Sequence, residues 1–420
     1  MMSEKIVTMG IGLIVSIFVA RYLGPENFGI LSYAASLTSL FAISTHLGLH
    51  GLAIREIVKY PEDDHQVLGT VFGLKMITAI IATIAFILFA IYTTKPGNEE
   101  FWVLCLMAGV ILFKPFQVFD FWFQAKVKAK YSSIARGINS LVLALVKIVL
   151  VVFSATLLAF AFTYLLSAVL IALLFLFFYK SESNTSLFDW DFNLSRAKHL
   201  LSQGWMIMAG SFFAILYLKV DQVMLRWLVN AEEVGVYSVA ATLSEAWYFI
   251  PGIIVASLFP KLIELRDKSE EKFKLRLQHL FDILSVLALF IAIFITLIAD
   301  PAIHLLYGLE FQQASVILSI HIWAGIFIFM RAVFSKWILI EDAIAFSMLT
   351  HGAGAIANVI LNLILIPGYG GVGAAVSTLL SYAMASYISL LFYKKSRPLF
   401  WMMSKSLVAP IRYSIKYFCI

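Results

Sequence analysis

The sequence predicts an all-α integral membrane protein of about twelve transmembrane helices, built as two six-helix repeats of the same orientation. Three observations carry that expectation. Hydrophobic residues make up 61% of the 420 and charged residues only 13%, against about 25% charged in an ordinary soluble domain, and the mean hydropathy is +0.92. The apolar residues come in blocks of about 20, long enough to cross a hydrocarbon core of about 30 Å at about 1.5 Å per helical residue. The two halves also share residues at a nearly constant spacing.

Blocks such as LVLALVKIVLVVF and ILSVLALFIAIFITLI are helical spans, because barrel strands would alternate apolar and polar over about ten residues. The twelve spans fall at 5–21, 28–49, 69–93, 99–122, 137–155, 157–179, 204–228, 234–260, 277–298, 314–340, 347–366 and 372–393. Breakers punctuate them: Gly24-Pro25, Pro96-Gly97, Pro301, and Pro367-Gly368 with Gly370-Gly371. The apolar run from Ile6 is followed by further spans and by no small-residue cleavage motif, so it reads as the first helix and not as a signal peptide. Cys105 and Cys419 lie too far apart to suggest a disulfide or zinc framework.

Net charge is +6 and the isoelectric point about 9.1. In a membrane chain that excess belongs to cytoplasmic loops rather than to nucleic-acid binding. With the N-terminus placed in the cytoplasm, 22 of the 31 Lys and Arg fall on that side, three (Arg21, Lys95 and Arg226) on the other, and six within spans. Both termini are therefore expected in the cytoplasm, with an even number of spans.

The repeat is read by aligning 23–37 with 229–243. At an offset of 206, Glu26 meets Glu232, Gly29 meets Gly235, Ser32 meets Ser238, and Ala34-Ala35 meet Ala240-Ala241. At an offset of 214, Leu165-Leu166-Ser167 meet Leu379-Leu380-Ser381, and Phe178-Tyr179-Lys180 meet Phe392-Tyr393-Lys394. A six-helix unit begins and ends on one side, so its copy enters with the same orientation, and a site is expected between the copies near the midplane. The organisation that follows is an N-terminal lobe at 1–180, a cytoplasmic linker at 181–203, a C-terminal lobe at 204–393, and a basic interfacial tail at 394–420.

At VARYLGPENFGILSYAASL (19–37), HLGLHGLAIREI (46–57) and LYLKVDQVMLRWLVNAEEVGVYSVAATL (216–243) the chain resembles the Wzx-type flippases of polysaccharide and O-antigen biosynthesis. These belong to the exporter superfamily that also holds multidrug and toxin extruders and the lipid II flippase. The resemblance spans nearly the whole chain in helix count, topology and duplication. It departs at the start, where only a few residues precede the first span. It implies a multidrug-extruder-like fold, a central cavity lined by helices 1, 2, 7 and 8, and localisation in a bacterial inner membrane. The implied substrate is an oligosaccharide on undecaprenyl pyrophosphate, an O-antigen or capsule repeat unit, moved from the cytoplasmic to the periplasmic leaflet. The bilayer and other polysaccharide-assembly membrane proteins are the expected partners.

A charged residue at the centre of a span costs about 2.5–3.5 kcal/mol on insertion scales and needs a reason to be there. The candidates for substrate contact are Arg21, Lys114, Lys147, Lys219, Asp221, Glu245 and Arg331. Fixed cations in a wet cavity would replace the hydration of a pyrophosphate. Tyr217, Trp247 and Tyr248 could stack on sugars. Blander readings stand beside these. Lys75 and Lys336 lie within about two turns of a span end and can snorkel to it. Asp120 could simply pair with a nearby lysine, and Arg331 could stabilise a lobe.

Asp221 or Glu245 could couple transport to H⁺ or Na⁺. No phosphate-loop motif is present, so the chain is not expected to hydrolyse ATP, and no cofactor or metal is expected. GYGGVG (368–373) reads as a turn between spans and not as a dinucleotide loop. The sequons at Asn184 and Asn193 fall in the linker and are expected to be idle.

Two other readings compete. A cation-coupled multidrug exporter of the same fold would carry fewer cavity cations and more acids. A membrane glycan polymerase or ligase would need a large outer loop, and the largest, 299–313 with Asp300, His304 and Glu310, is too small for catalysis. No enzymatic activity is expected.

Overall fold

The computed structural model describes residues 2–183, 189–410 and 412. The first sequon, Asn184-Thr185-Ser186, lies outside the described residues, as do Lys416 and Cys419 of the tail. Fifteen α-helices follow one another, and no strand occurs among the described residues.

Ten helical stretches are long and apolar enough to cross a membrane. Two of them are double. Helix α1 (Met2–Ala42) breaks at Gly24, with φ 71° and ψ 173°. Only glycine enters that backbone region without penalty, and Pro25 both lacks an N–H and disfavours helix in the residue before it. Helix α14 (Ile344–Ser386) breaks at Gly370, with φ 52° and ψ −132°. Each of these two therefore supplies two passes, which makes twelve among the described residues. Of the breakers expected within α14, Pro367-Gly368 with Gly370-Gly371, it is Gly370 that turns the chain, while Pro367 stays within helix.

The remaining helices follow in order. The first half contains α2 (His50–Lys59), α3 (Asp64–Thr93), α4 (Glu99–Leu112), α5 (Val118–Ala125), α6 (Ala129–Val152) and α7 (Leu157–Glu182). Helix α8 (Leu194–Leu228) leads into α9 (Ala231–Glu245), α10 (Phe249–Lys268), α11 (Glu270–Tyr307), α12 (Ala314–His321), α13 (Ala324–Ile340), α14 and α15 (Arg397–Leu407). The span read as 99–122 is interrupted at Lys114–Gln117, where Pro115 denies the helix an N–H. Pro301, read as a breaker, sits inside α11, which absorbs 299–307 of the supposed outer loop.

The chain divides into two compact units at Ile215 and Leu216, within α8. The sequence repeat is visible in where the breaks fall. Gly24 matches Asn230, whose side chain caps α9 by accepting the Glu233 N–H at 2.8 Å. Gly370 matches Thr156, the residue before α7.

In the first unit the polar stretch after α7 packs back onto it. Trp190 donates to the Tyr179 hydroxyl at 3.2 Å, and the Asn193 N–H donates to Thr70 Oγ1 at 3.0 Å. A side chain at Gly69 would strike the Asp191 carbonyl oxygen at 2.5 Å, so residues 189–193 lie directly against α3. In the second unit α15 runs along α11: Gln278 donates to the Met402 carbonyl at 3.0 Å, and the Ser285 and Ser406 hydroxyls meet at 2.9 Å.

The core is hydrophobic, and unlike that of a soluble bundle much of the outer surface is hydrophobic as well. On α3, Ile77, Ile81, Ile84, Leu88 and Ile91 form an outward row at helical spacing, each about half exposed, while Lys75 on the same helix is 1% exposed. In water such a row would be a large exposed apolar patch; in a bilayer it is the lipid-facing surface.

Candidate functional site

In the second unit, α8 carries Asp221 into a wholly buried polar cluster; the residue is 2% exposed. Three side chains donate to its carboxylate. Tyr237 of α9 reaches Oδ2 at 2.8 Å, Thr378 of α14 reaches Oδ2 at 2.5 Å, and Asn362 of α14 reaches Oδ1 at 2.6 Å. Asn362 and Thr378 come from the two passes of α14, and the Gly370 break is what allows both to face α8. That break is fixed by Glu233, whose carboxylate accepts the Gly371 N–H at 2.7 Å.

These charge-assisted bonds replace the water an ionised carboxylate loses on burial. No basic side chain lies within ion-pair distance of Asp221 among the described residues. The cluster continues into Asn358, whose side-chain oxygen accepts from Asn362 at 3.2 Å, and His321, whose ring lies 5.8 Å edge-on from that of Tyr237. His321 Nδ1, Asn358 Nδ2 and Asn362 Oδ1 are buried without a hydrogen-bond partner. The sequence singles out Asp221 as an acid within an apolar span and gives little sign of its partners. Asn358 and Asn362, four residues apart in an apolar span, are the available signal; nothing in the sequence points to Thr378, Tyr237 or His321.

Lys219, two residues from Asp221 on another face of α8, meets Glu245 of α9 at 3.4 Å, both side chains being about 30% exposed. Glu245 is thus the counter-ion of a lysine. Arg331 on α13 is 8% exposed and donates to neutral oxygens: Thr350 Oγ1 at 2.9 Å, the Ala385 carbonyl at 2.7 Å and Ser347 Oγ at 3.3 Å. It ties α13 to both passes of α14. Tyr217 is 4% exposed and is stacked on His351 at 5.7 Å, while the Tyr248 hydroxyl is buried without a partner. Trp247 packs against the hydrophobic core of the unit.

In the first unit, Lys114 lines a cavity of about 440 Å³ together with Lys75, Asp120 and Arg136. Lys75, read as a snorkelling residue, is buried instead, with Nζ 3.4 Å from Gln117 Oε1. The turn made by Pro115 brings Gln117 back toward α3, which sequence distance from a span end could not reveal. Asp120 pairs with Arg136 at 2.5 Å. Lys147 lies elsewhere on α6, its Nζ 4.7 Å above the Tyr164 ring of α7. Lys336 likewise lies over Phe259 at 4.9 Å. Arg21 is exposed, three residues before the Gly24 break, and pairs with no acid among the described residues.

Residues 1–266 match the family model described as polysaccharide biosynthesis protein. The Haloferax volcanii protein named Probable flippase AglR is 22% identical over 397 residues, covering 90% of this chain and 79% of the relative. A candidate O-antigen transporter of Shigella flexneri is 22% identical over 372 residues, covering 86% of this chain and 88% of its own. Among solved structures, the lipid II flippase MurJ in an inward closed conformation superposes with a TM-score of 0.72 at 14% identity, covering 98% of this chain and 92% of that one. An inward-facing multidrug resistance transporter of the MATE family gives 0.67 at 15% identity, covering 95% and 96%. The likeness in structure is one of fold.

Proposed function

Starting from the fact that this chain belongs to the polysaccharide biosynthesis protein family, we propose that it is a flippase for a lipid-linked glycan. Its substrate is an oligosaccharide on undecaprenyl pyrophosphate, an O-antigen or capsule repeat unit. The chain carries it from the cytoplasmic to the periplasmic leaflet of a bacterial inner membrane by alternating access, with both termini in the cytoplasm. The observation that carries the reading is the pairing of this family match with several cations held inside apolar spans, Lys114 and Lys219 among them. A charged headgroup crossing hydrocarbon needs such groups in place of its lost water. Names of the relatives support the same direction, since both flippases and an O-antigen transporter occur among them.

Within this reading Asp221 is the coupling residue. The Tyr237 and Thr378 hydroxyls lie beside its carboxylate and Asn362 donates to it through Nδ2, so two of its three partners are oxygen groups. Oxygen ligands suit a proton or a hard cation such as Na⁺. Uptake of either would neutralise Asp221 and loosen the hold of α14 on α8, which biases one conformation over another.

The test is complementation of a deletion strain. The wild-type gene should restore surface polysaccharide, and Asp221→Asn should restore none of it at equal membrane abundance. A deletion that leaves surface glycan intact but abolishes drug resistance would favour export of drugs and overturn the proposal.

A further inference from the structure

The cavity of the first unit has a charge imbalance that the protein itself does not correct. Lys75 from α3, Lys114 from the turn after α4 and Arg136 from α6 line it with a single carboxylate, Asp120. Asp120 Oδ2 is taken by Arg136 at 2.5 Å and by the Gln124 amide at 3.1 Å, while its Oδ1 is buried without a hydrogen-bond partner. Lys75, at 1% exposure, has the long contact to Gln117 and the face of the Phe121 ring at 5.1 Å. Lys114 makes no ion pair or side-chain hydrogen bond among the described residues. Two ammonium groups thus lie without a counter-ion of their own within apolar spans, an arrangement that an anionic ligand would complete. The opposite wall is apolar, with Ile171 and Phe175 of α7.

We propose that this cavity binds the phosphate group of a membrane lipid. Two ammonium groups match the several anionic oxygens of a phosphodiester or diphosphate better than a monatomic ion. The volume of about 440 Å³ exceeds what a bare halide would fill, and the α7 wall receives the first carbons of the chain that bears the phosphate. The diphosphate of a polyprenol carrier and the headgroup of an anionic phospholipid share this chemistry. The inference shares Lys114 with the transport reading and rests on it where the lipid is the polyprenol carrier, whereas a resident phospholipid would satisfy it without transport.

The experiment measures lipid binding to the full-length protein in detergent by native mass spectrometry. The probes are undecaprenyl diphosphate, phosphatidylglycerol, undecaprenol, diacylglycerol and inorganic phosphate. The two phosphate-bearing lipids mark the two sources, and retention of either over its phosphate-free counterpart supports the site. Lys75→Gln with Lys114→Gln should weaken retention about tenfold or more, while Lys75→Arg with Lys114→Arg should keep it within about threefold. Removing both ammonium groups leaves only the paired Asp120 and Arg136 as charges in the cavity, so the glutamine variant should fold, and its melting temperature checks this.

Undecaprenol held as tightly as its diphosphate, or retention unchanged in the glutamine variant, would overturn the proposal. Displacement of the lipid by millimolar inorganic phosphate would also overturn it, assigning the cavity to a free anion. Glycan display is read separately in the same strains. A glutamine variant that loses lipid but still displays glycan supports the site and removes it from transport. A variant that keeps lipid but loses display overturns the site and leaves the transport reading standing.

Discussion

Lys75 in the first unit and Asp221 in the second are equally buried, at 1% and 2% exposure, yet their surroundings treat them in opposite ways. Three donors at 2.5 to 2.8 Å converge on the carboxylate of Asp221, whereas the ammonium of Lys75 has one acceptor at 3.4 Å. Arg331 extends the contrast: it too is a cation, but the second unit gives it three oxygen acceptors. The difference is therefore one of saturation and not of charge sign. A saturated buried charge holds helices together and changes state only when something displaces its partners. An unsaturated one holds out its bonding capacity to a ligand. A duplicated six-helix unit has thus been given two kinds of interior, one suited to switching and one to binding.

The largest effect should come from emptying the saturated site. Asp221→Leu strands the donors of Tyr237, Thr378 and Asn362 in an apolar interior at about 1–3 kcal/mol per group. The variant should lose about 3–5 kcal/mol of stability in a detergent melt and most of its membrane abundance. Asp221→Asn keeps the shape, so its abundance should hold while glycan display fails. A leucine variant as stable as wild type would mean the second unit is no more saturated than the first.

The backbone breaks give the next comparison. Gly370→Ala places a methyl group 2.7 Å from the Glu233 carboxylate and forces a left-handed residue that is not glycine. It should cost about 2–3 kcal/mol. Thr156→Ala at the matching place in the first unit, where φ is an ordinary −70°, should cost under about 1 kcal/mol. Equal losses at the two positions would show that the Gly370 turn is not strained.

Lys75→Met tests the unsaturated site from the stability side. Replacing a buried, uncompensated ammonium by an apolar side chain of similar length should raise stability by about 1–2 kcal/mol in the lipid-free protein. The gain should shrink when phosphatidylglycerol is added, because wild type has both ammonium groups that bind it and the variant only Lys114. A destabilised variant would mean that Gln117 and Phe121 already satisfy Lys75.

How far these features are legible in the sequence depends on whether they are local. Span count and class follow from composition and block length, and the Gly24 and Gly370 breaks sit in or beside dipeptides that announce them. Asp221 stands out as an acid in an apolar helix. Its partners do not, because Tyr237, Asn362 and Thr378 are brought to it by contacts 16, 141 and 157 residues away in sequence. Lys75 is misread for a related reason. Sequence gives the distance from a residue to the end of its span but not the direction its side chain takes, and here the Pro115 turn draws it inward. The polar stretch before α8 looks like a free linker because Gly69 and Gly73, which let Asp191 and Phe192 lie against α3, reveal that closeness only in space.

Lys219 and Glu245 should give the smallest effect, and it separates stability from function. Their side chains are about 30% exposed and 3.4 Å apart, so solvent screening leaves such a pair worth about 0–1 kcal/mol. A double-mutant cycle with Lys219→Met and Glu245→Gln should find a coupling energy below about 1 kcal/mol in the melt. Display of glycan should follow a different pattern. If Lys219 serves the passing headgroup, Lys219→Met should lower display several-fold at unchanged abundance, and Glu245→Gln, which frees the lysine from its counter-ion, should lower it less. Equal losses for the two single variants, with none further in the double, would make the pair a structural strut between α8 and α9. The half-exposed charges of the second unit would then serve the fold alone, and the headgroup would need its cations elsewhere.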